Sequence, residues 1–289
     1  MIPSSFEYYS PTSLEDALSL LSTHVEDAKL LAGGQSLLPL MKLRLAKPKV
    51  VIDLSRIQEL NYIRSEGNKI VIGALATYSQ IEGSDLLQTR CPLFSETASV
   101  VADVQIRNQG TIGGGLAHAD PAGDMPAAVL ALEGELKVVG PKGERWIRAE
   151  EFFITMLTTA LSPDEILTEI RVPVLEGTKT VYLKAAQRAS GFAVVGIAVC
   201  LRSSPDGSCE DIAIGVTGVT DKAYRAEYTE KMLKGKKLDP RIIEEAAVEV
   251  THGLDVMEDI NASPEYRSHL ARVYLTRAVQ TARERQDIG

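Results

Sequence analysis

Ala32-Gly33-Gly34-Gln35-Ser36, entered through Lys29-Leu30-Leu31, and Thr111-Ile112-Gly113-Gly114-Gly115, entered through Gln105-Ile106-Arg107-Asn108-Gln109-Gly110, are the two stretches on which the reading of this chain turns. Consecutive glycines carry no Cβ, so the backbone reaches positive φ and lies close against a ligand. Successive main-chain N–H groups in such a turn form a concave nest for an anion. Two nests on one chain suit the two ends of a pyrophosphate, which makes a dinucleotide the first ligand to consider. Neither turn fits G-x-G-x-x-G or the P-loop spacing, so the standard nicotinamide and P-loop fingerprints are absent.

Around the first turn, residues 28–31 read as a short buried strand and residues 36–45 repeat leucine at helical spacing. Residues 49–54 read as a second buried strand. This β–turn–α–β order puts the turn at a strand's carboxyl end and a helix's amino end, both of which favour anions. Upstream, residues 6–9 are strand-like, and Ser13 with Asp16 approaches a capping box before Leu14, Ala17, Leu18 and Leu21 on one helical face. Downstream, 62–64 and 69–73 flank Glu66-Gly67-Asn68 as a hairpin, and Thr77 caps a short helix over 77–82. Residues 91–106 alternate as a single helix leading into the second turn, and 121–132 read as another, bounded by Gly134. A second hairpin, 136–139 with 145–147, turns at Pro141-Lys142-Gly143, and Pro173 stops a strand over 165–172. A boundary is expected over 173–179. Beyond it, strands at 180–186, 193–201 and 212–219 suit an antiparallel sheet, and helices at 223–233, 240–250 and 264–283 complete the chain.

Composition excludes several classes. The chain has 289 residues, 45% of them hydrophobic, enough for one large or two medium domains. A net charge of −8 argues against nucleic acid, which needs a basic patch. No apolar run approaches a membrane span, and the N-terminus lacks a basic region followed by an apolar one, so a cytoplasmic chain is expected. Cys91, Cys200 and Cys209 lack CxxC spacing and read as buried or free thiols in a reducing compartment. An iron–sulfur cluster normally takes four thiolates, so any cluster belongs to another chain. The four histidines show no metal spacing, and no Ser–His–Asp order exists. Neither metal ligands nor catalytic side chains are expected. Arg107 suits a phosphate contact or an acidic neighbour in another subunit, and Asp124, ahead of Met125-Pro126, suits helix capping as well as a cofactor contact.

Residues 32–48, AGGQSLLPLMKLRLAKP, with residues 105–127, QIRNQGTIGGGLAHADPAGDMPA, resemble the flavin-binding medium subunit of the molybdenum hydroxylases. That family includes xanthine dehydrogenase, carbon monoxide dehydrogenase, nicotine dehydrogenase and aldehyde oxidoreductases, and the resemblance runs from Phe6 to the final helix. It implies an α+β fold: a flavin-binding domain of the vanillyl-alcohol-oxidase type over 1–175, made of two α/β subdomains (about 1–57 and 58–175) with FAD between them. A small antiparallel-sheet-plus-helices C-terminal domain would cover 179–289.

The resemblance also implies site residues. Lys29, Leu31, Ala32, Gly33, Gly34, Gln35, Ser36 and Leu37 match the first flavin loop. Thr111, Ile112, Gly113, Gly114 and Gly115 match the second, with backbone and threonine hydroxyl on the pyrophosphate. His118 and Asp124 match positions along the cofactor, Leu167 a backbone contact near the ring, and Lys184 a polar contact from the C-terminal domain. Val101 stands where members place a residue over the ring, and Phe192 matches an aromatic near the isoalloxazine in some of them. Many members end the second motif with Asn or Ser where this chain has Gly115, which implies one side-chain donor fewer. The implied role is electron transfer. Substrate would be oxidised at molybdopterin on a large subunit, two-iron–two-sulfur clusters would sit on a small subunit, and the complex would be a dimer of heterotrimers. A self-sufficient flavin oxidase and a non-enzymatic dinucleotide-binding module are the rival readings. The part after Pro173 is short for a substrate domain and offers no acid–base pair.

Overall fold

The computed structural model describes residues 2–285, so the end of the expected C-terminal domain, 286–289, lies outside the described residues. The first layer is a parallel three-stranded sheet, ordered β1-β3-β2, from β1 (Glu7–Tyr9), β2 (Ala28–Leu31) and β3 (Val50–Asp53). Helix α1 (Leu14–Thr23) is capped by the Ser13 side chain, which accepts from Asp16 N, and it buries Ala17 and Leu21 on the sheet. Helix α2 (Leu37–Lys42) follows the first glycine turn and is shorter than the leucine spacing predicts, because Arg44 adopts φ 59° just beyond it.

The second unit is built on β4 (Ile63–Glu66) and β5 (Lys69–Gly73), the expected hairpin. Short helices follow: α3 (Tyr78–Glu82), α4 (Asp85–Arg90), α5 (Pro92–Ser99), α6 (Val104–Gln109), α7 (Ile112–His118) and α8 (Met125–Ala131). Thr77 makes a full capping box with Gln80 at α3. The single helix expected over 91–106 is two helices. Ala102 turns at φ 40° and the Asp103 carboxylate caps a fresh start by accepting from Ile106 N. Likewise the helix expected from 121 begins only at Met125, after the loop 119–124. Strands β6 (Glu135–Gly140) and β7 (Gly143–Arg148) form the second hairpin. A short helix α9 (Ala149–Phe152) leads to the ribbon of β8 (Phe153–Thr155) and β9 (Thr158–Thr159), and β10 (Ile166–Pro173) returns to the sheet centre. The sheet is antiparallel, ordered β4-β5-β10-β6-β7, with Ile70, Ile72, Leu136, Val138 and Ile170 in its core.

The last unit is an antiparallel sheet, β11-β12-β13-β14, from β11 (Lys179–Ala186), β12 (Ala193–Ser203), β13 (Cys209–Thr217) and β14 (Tyr224–Arg225). Helices α10 (Glu227–Leu233), α11 (Pro240–Val248) and α12 (Pro264–Glu284) cover one face. Val195, Ile197, Val199 and Ile214 meet Leu275 and Val279 there in a separate core. The other face meets the second unit: a Cβ on Gly215 would stand 2.0 Å from Ala127 O of α8. The fold is thus α+β, and both glycine motifs lie where the first two units touch.

Candidate functional site

The first motif leaves β2 and enters α2. Only Gly34 among the motif glycines takes positive φ, at 72°. Residues 33–36 are half-buried, and among the described residues the backbone N–H groups of Gly33, Gly34, Gln35 and Ser36 have no hydrogen-bond partner. Gln35 Nε2 reaches Gly33 O at 3.3 Å, and the Ser36 hydroxyl makes no cap bond to α2. Four backbone N–H groups in sequence without a protein acceptor are free to donate to an anion.

The second motif is not a loop but the first turn of α7, and the N–H groups of residues 112–115 are all engaged. Ile112 N donates to Ala76 O (3.0 Å), Gly113 N to Ala74 O (2.9 Å) and Gly115 N to Thr111 O (3.0 Å). Gly114 N donates to Thr111 Oγ1 at 3.2 Å, which makes Thr111 the N-cap. The expectation of a second backbone nest is therefore corrected. The glycines serve packing instead: a Cβ on Gly113 would lie 2.5 Å from Ala74 Cβ. The motifs also touch one another. A Cβ on Gly33 would lie 2.2 Å from Gln109 O and 2.7 Å from Gly110 Cα, and one on Gly114 would lie 3.5 Å from Ala32 Cβ.

The third part is the loop 119–124, gripped from the C-terminal sheet. Thr217 Oγ1 donates to Pro121 O (2.6 Å) and Gly123 O (2.8 Å), Gly218 N to Pro121 O (2.8 Å) and Ala193 N to Ala122 O (3.2 Å). Asp124 stands at the start of α8 but makes no cap bond, so the capping reading is corrected. Its carboxylate accepts from Tyr182 Oη at 2.6 Å and pairs with Lys184 Nζ at 3.0 Å, both from β11. Lys184 Nζ also donates to Gly191 O at 2.6 Å. The two charged side chains keep only 7% and 4% of their surface exposed. Burial raises the Asp124 carboxyl against the opposing pull of Lys184 and Tyr182, and burial with the Asp124 charge raises the Tyr182 phenol well above its ordinary value.

The remaining expected residues fall around this seam. Gly191 packs on Ala102, where its Cβ would come within 2.9 Å of Ala102 Cα, so the turn carrying Phe192 adjoins the turn carrying Val101. Phe192 is 50% exposed and not a core aromatic. Together with Asp120 and Gln187 it lines a cavity of about 250 Å³. Leu167 is buried in β10, His118 closes α7 half-buried, and Lys29 is exposed on β2. Within this chain Arg107 Nε pairs with Glu82 at 2.8 Å and its Nη1 donates to Val101 O at 3.2 Å. Sequence reasoning missed Tyr182 and Tyr78, because neither sits in a motif. Cys91, Cys200 and Cys209 are buried, and burial pushes the Cys91 and Cys209 thiols up to about 12 and about 11. Among the described residues no His, Cys, Asp and Glu cluster could hold a metal ion, and no helix is long and apolar enough to cross a membrane.

Comparison with known proteins decides the family. Residues 4–175 match the FAD binding domain in molybdopterin dehydrogenase, and residues 180–282 match the carbon monoxide dehydrogenase flavoprotein C-terminal domain. The chain belongs to the FAD-binding medium chains of the molybdopterin dehydrogenases. It is 40% identical over 283 residues to the carbon monoxide dehydrogenase medium chain of Hydrogenophaga pseudoflava, covering 98% of each chain. It is 37% identical over 278 residues to the glyceraldehyde dehydrogenase medium chain of Sulfolobus acidocaldarius, covering 96% of this chain and 98% of that one. Among solved structures, carbon monoxide dehydrogenase from Hydrogenophaga pseudoflava, lacking the pyranopterin moiety of its cofactor, superposes with a TM-score of 0.94. The match there is 42% identical and covers 98% of both chains. This medium chain is thus a flavoprotein subunit of an oxidoreductase, with FAD as its cofactor. The residues present fit that group. The unpartnered N–H row at 33–36 offers donors to a phosphate, and the Thr111 hydroxyl, accepting from Gly114 N, keeps its own proton to donate.

Proposed function

We propose that this chain is the electron-transfer subunit of a heterotrimeric molybdenum hydroxylase, holding FAD between its first two units. It would serve between two-iron–two-sulfur clusters on a small subunit and an external acceptor. Substrate oxidation belongs to a molybdopterin-binding large subunit. The assembly is a cytoplasmic dimer of heterotrimers. The flavin-binding part spans 1–175 and the C-terminal domain 179–289.

The observation that carries this reading is the run of unpartnered N–H groups from Gly33 to Ser36, locked against the second motif through Gly33. Bound FAD supplies the redox chemistry, and the protein supplies position and electrostatics. Backbone from Ala32 to Leu37 and the Thr111 hydroxyl hold phosphate oxygens. Leu31, Ile112 and the glycines Gly113, Gly114 and Gly115 shape the wall against which the dinucleotide lies. His118, Asp124 and Lys184 set polarity along the cofactor, while Val101, Leu167 and Phe192 screen its ring from water. Lys29 contributes from the rim. No side chain is assigned as acid, base or nucleophile.

The decisive experiment is an absorption spectrum of the purified chain, followed by release and identification of bound flavin. Stoichiometric FAD without iron–sulfur absorbance is expected. A chain that takes up no flavin even with excess FAD would overturn the reading. Flavin bleaching by an organic substrate added to the isolated chain would favour a self-sufficient oxidase.

A further inference from the structure

Tyr78 opens α3, and its ring lies along the second motif. Its N–H donates to Gly110 O at 3.0 Å, a Cβ on Gly110 would meet ring carbons Cδ2 and Cε2 at 3.1 Å, and one on Gly115 would meet the phenol oxygen at 2.0 Å. The phenol therefore fills the place that any side chain at 115 would need. Tyr78 is only 8% exposed. A buried tyrosine normally finds a partner for its hydroxyl. This one has none among the described residues. It also differs from the fully enclosed orphans Thr180 Oγ1, Thr229 Oγ1 and Arg267 Nε, since its oxygen keeps some accessible surface. Burial, reinforced by the Asp124 charge, raises its pKa, so the group keeps its proton and remains a donor.

We propose that Tyr78 is a cofactor-binding residue whose hydroxyl donates to an oxygen of the bound dinucleotide, in place of the side chain that Gly115 lacks. The proposal rests on the FAD reading above. It also revises the consequence drawn from Gly115: the donor is moved to another element rather than lost.

The test is an equilibrium FAD titration of the full chain, stripped of flavin and followed by flavin fluorescence, with thermal melting of the flavin-free form as control. Tyr78→Phe should bind FAD about fivefold to tenfold more weakly, the worth of one neutral hydrogen bond, with the flavin-free melt near that of the unaltered chain. Gly115→Ser should weaken binding and lower the melt, because its Cβ falls on the phenol oxygen. In the double variant that oxygen is gone and the nearest ring atom, Cζ, lies 3.4 Å from the new Cβ, so the serine fits and restores a donor. The double variant should bind more tightly than either single one, a coupling that independent sites do not show. Native affinity in Tyr78→Phe overturns the proposal, as does a double variant no better than Gly115→Ser. If the unaltered chain takes up no FAD, the FAD reading itself fails.

Discussion

The two motifs share consecutive glycines and have opposite hydrogen-bond accounts. In residues 33–36 the backbone N–H groups have no partner among the described residues, and one glycine takes φ 72°. In residues 112–115 every N–H is engaged by Ala76, Ala74 or Thr111, and no glycine takes positive φ. A glycine run in sequence therefore signals that backbone comes close to something, without saying to what. At the first motif we propose that the missing partner is the dinucleotide. At the second the close partner is protein: Ala74 under Gly113 and Tyr78 under Gly115. Alterations in and just beyond the second motif should damage the flavin-free fold, while those in the first that leave Gly33 and Gly34 in place should spare it and weaken FAD binding.

The largest expected effect is at the end of the loop after the second motif. Asp124→Ala leaves Lys184 buried without its counter-charge and Tyr182 without its acceptor. Removing one partner of such a pair costs about 3–5 kcal/mol, so denaturant melting of the flavin-free chain should show a large loss. A stable Asp124→Ala chain that merely binds FAD poorly would break the comparison. Next is Gly113→Ala, whose new methyl meets Ala74 Cβ at 2.5 Å and Ala74 O at 2.6 Å. Overpacking there should cost about 1–3 kcal/mol in the same measurement. Thr111→Ala removes the N-cap of α7 and should cost about 1 kcal/mol of flavin-free stability. Smallest in stability is Ser36→Ala: its hydroxyl caps nothing, so the melt should stay within about 0.5 kcal/mol of the unaltered chain. Its FAD affinity should nevertheless fall, and a stability loss equal to that of Thr111→Ala would erase the distinction between the motifs.

Local signals carried much of the fold. The strand–turn–helix–strand order around Gly33, the caps at Ser13 and Thr77, and the hairpins at Gly67 and Gly143 depend on neighbours in sequence, and each is found. The break at Ala102 was not legible, because an alanine at φ 40° is held by what packs on it, here Gly191 from a distant turn. The motifs themselves were legible. What escaped was how the site is assembled: Tyr182 on Asp124, Arg107 on Glu82, and the phenol of Tyr78 against Gly115. These pairings join residues far apart in the chain, and no spacing rule reports them.

The contact of Gly33 with Gln109 and Gly110 has a kinetic consequence. It closes a long stretch of chain, and contacts of such sequence separation form late, because loop-closure entropy must be overcome before they contribute. A nascent or refolding chain should thus acquire its parallel sheet and hairpins before it closes this contact, beside which we propose the dinucleotide binds. FAD that binds only the closed form draws that last step to completion by mass action. Refolding in rising FAD should leave the early, local phases unchanged and increase only the yield of the final one.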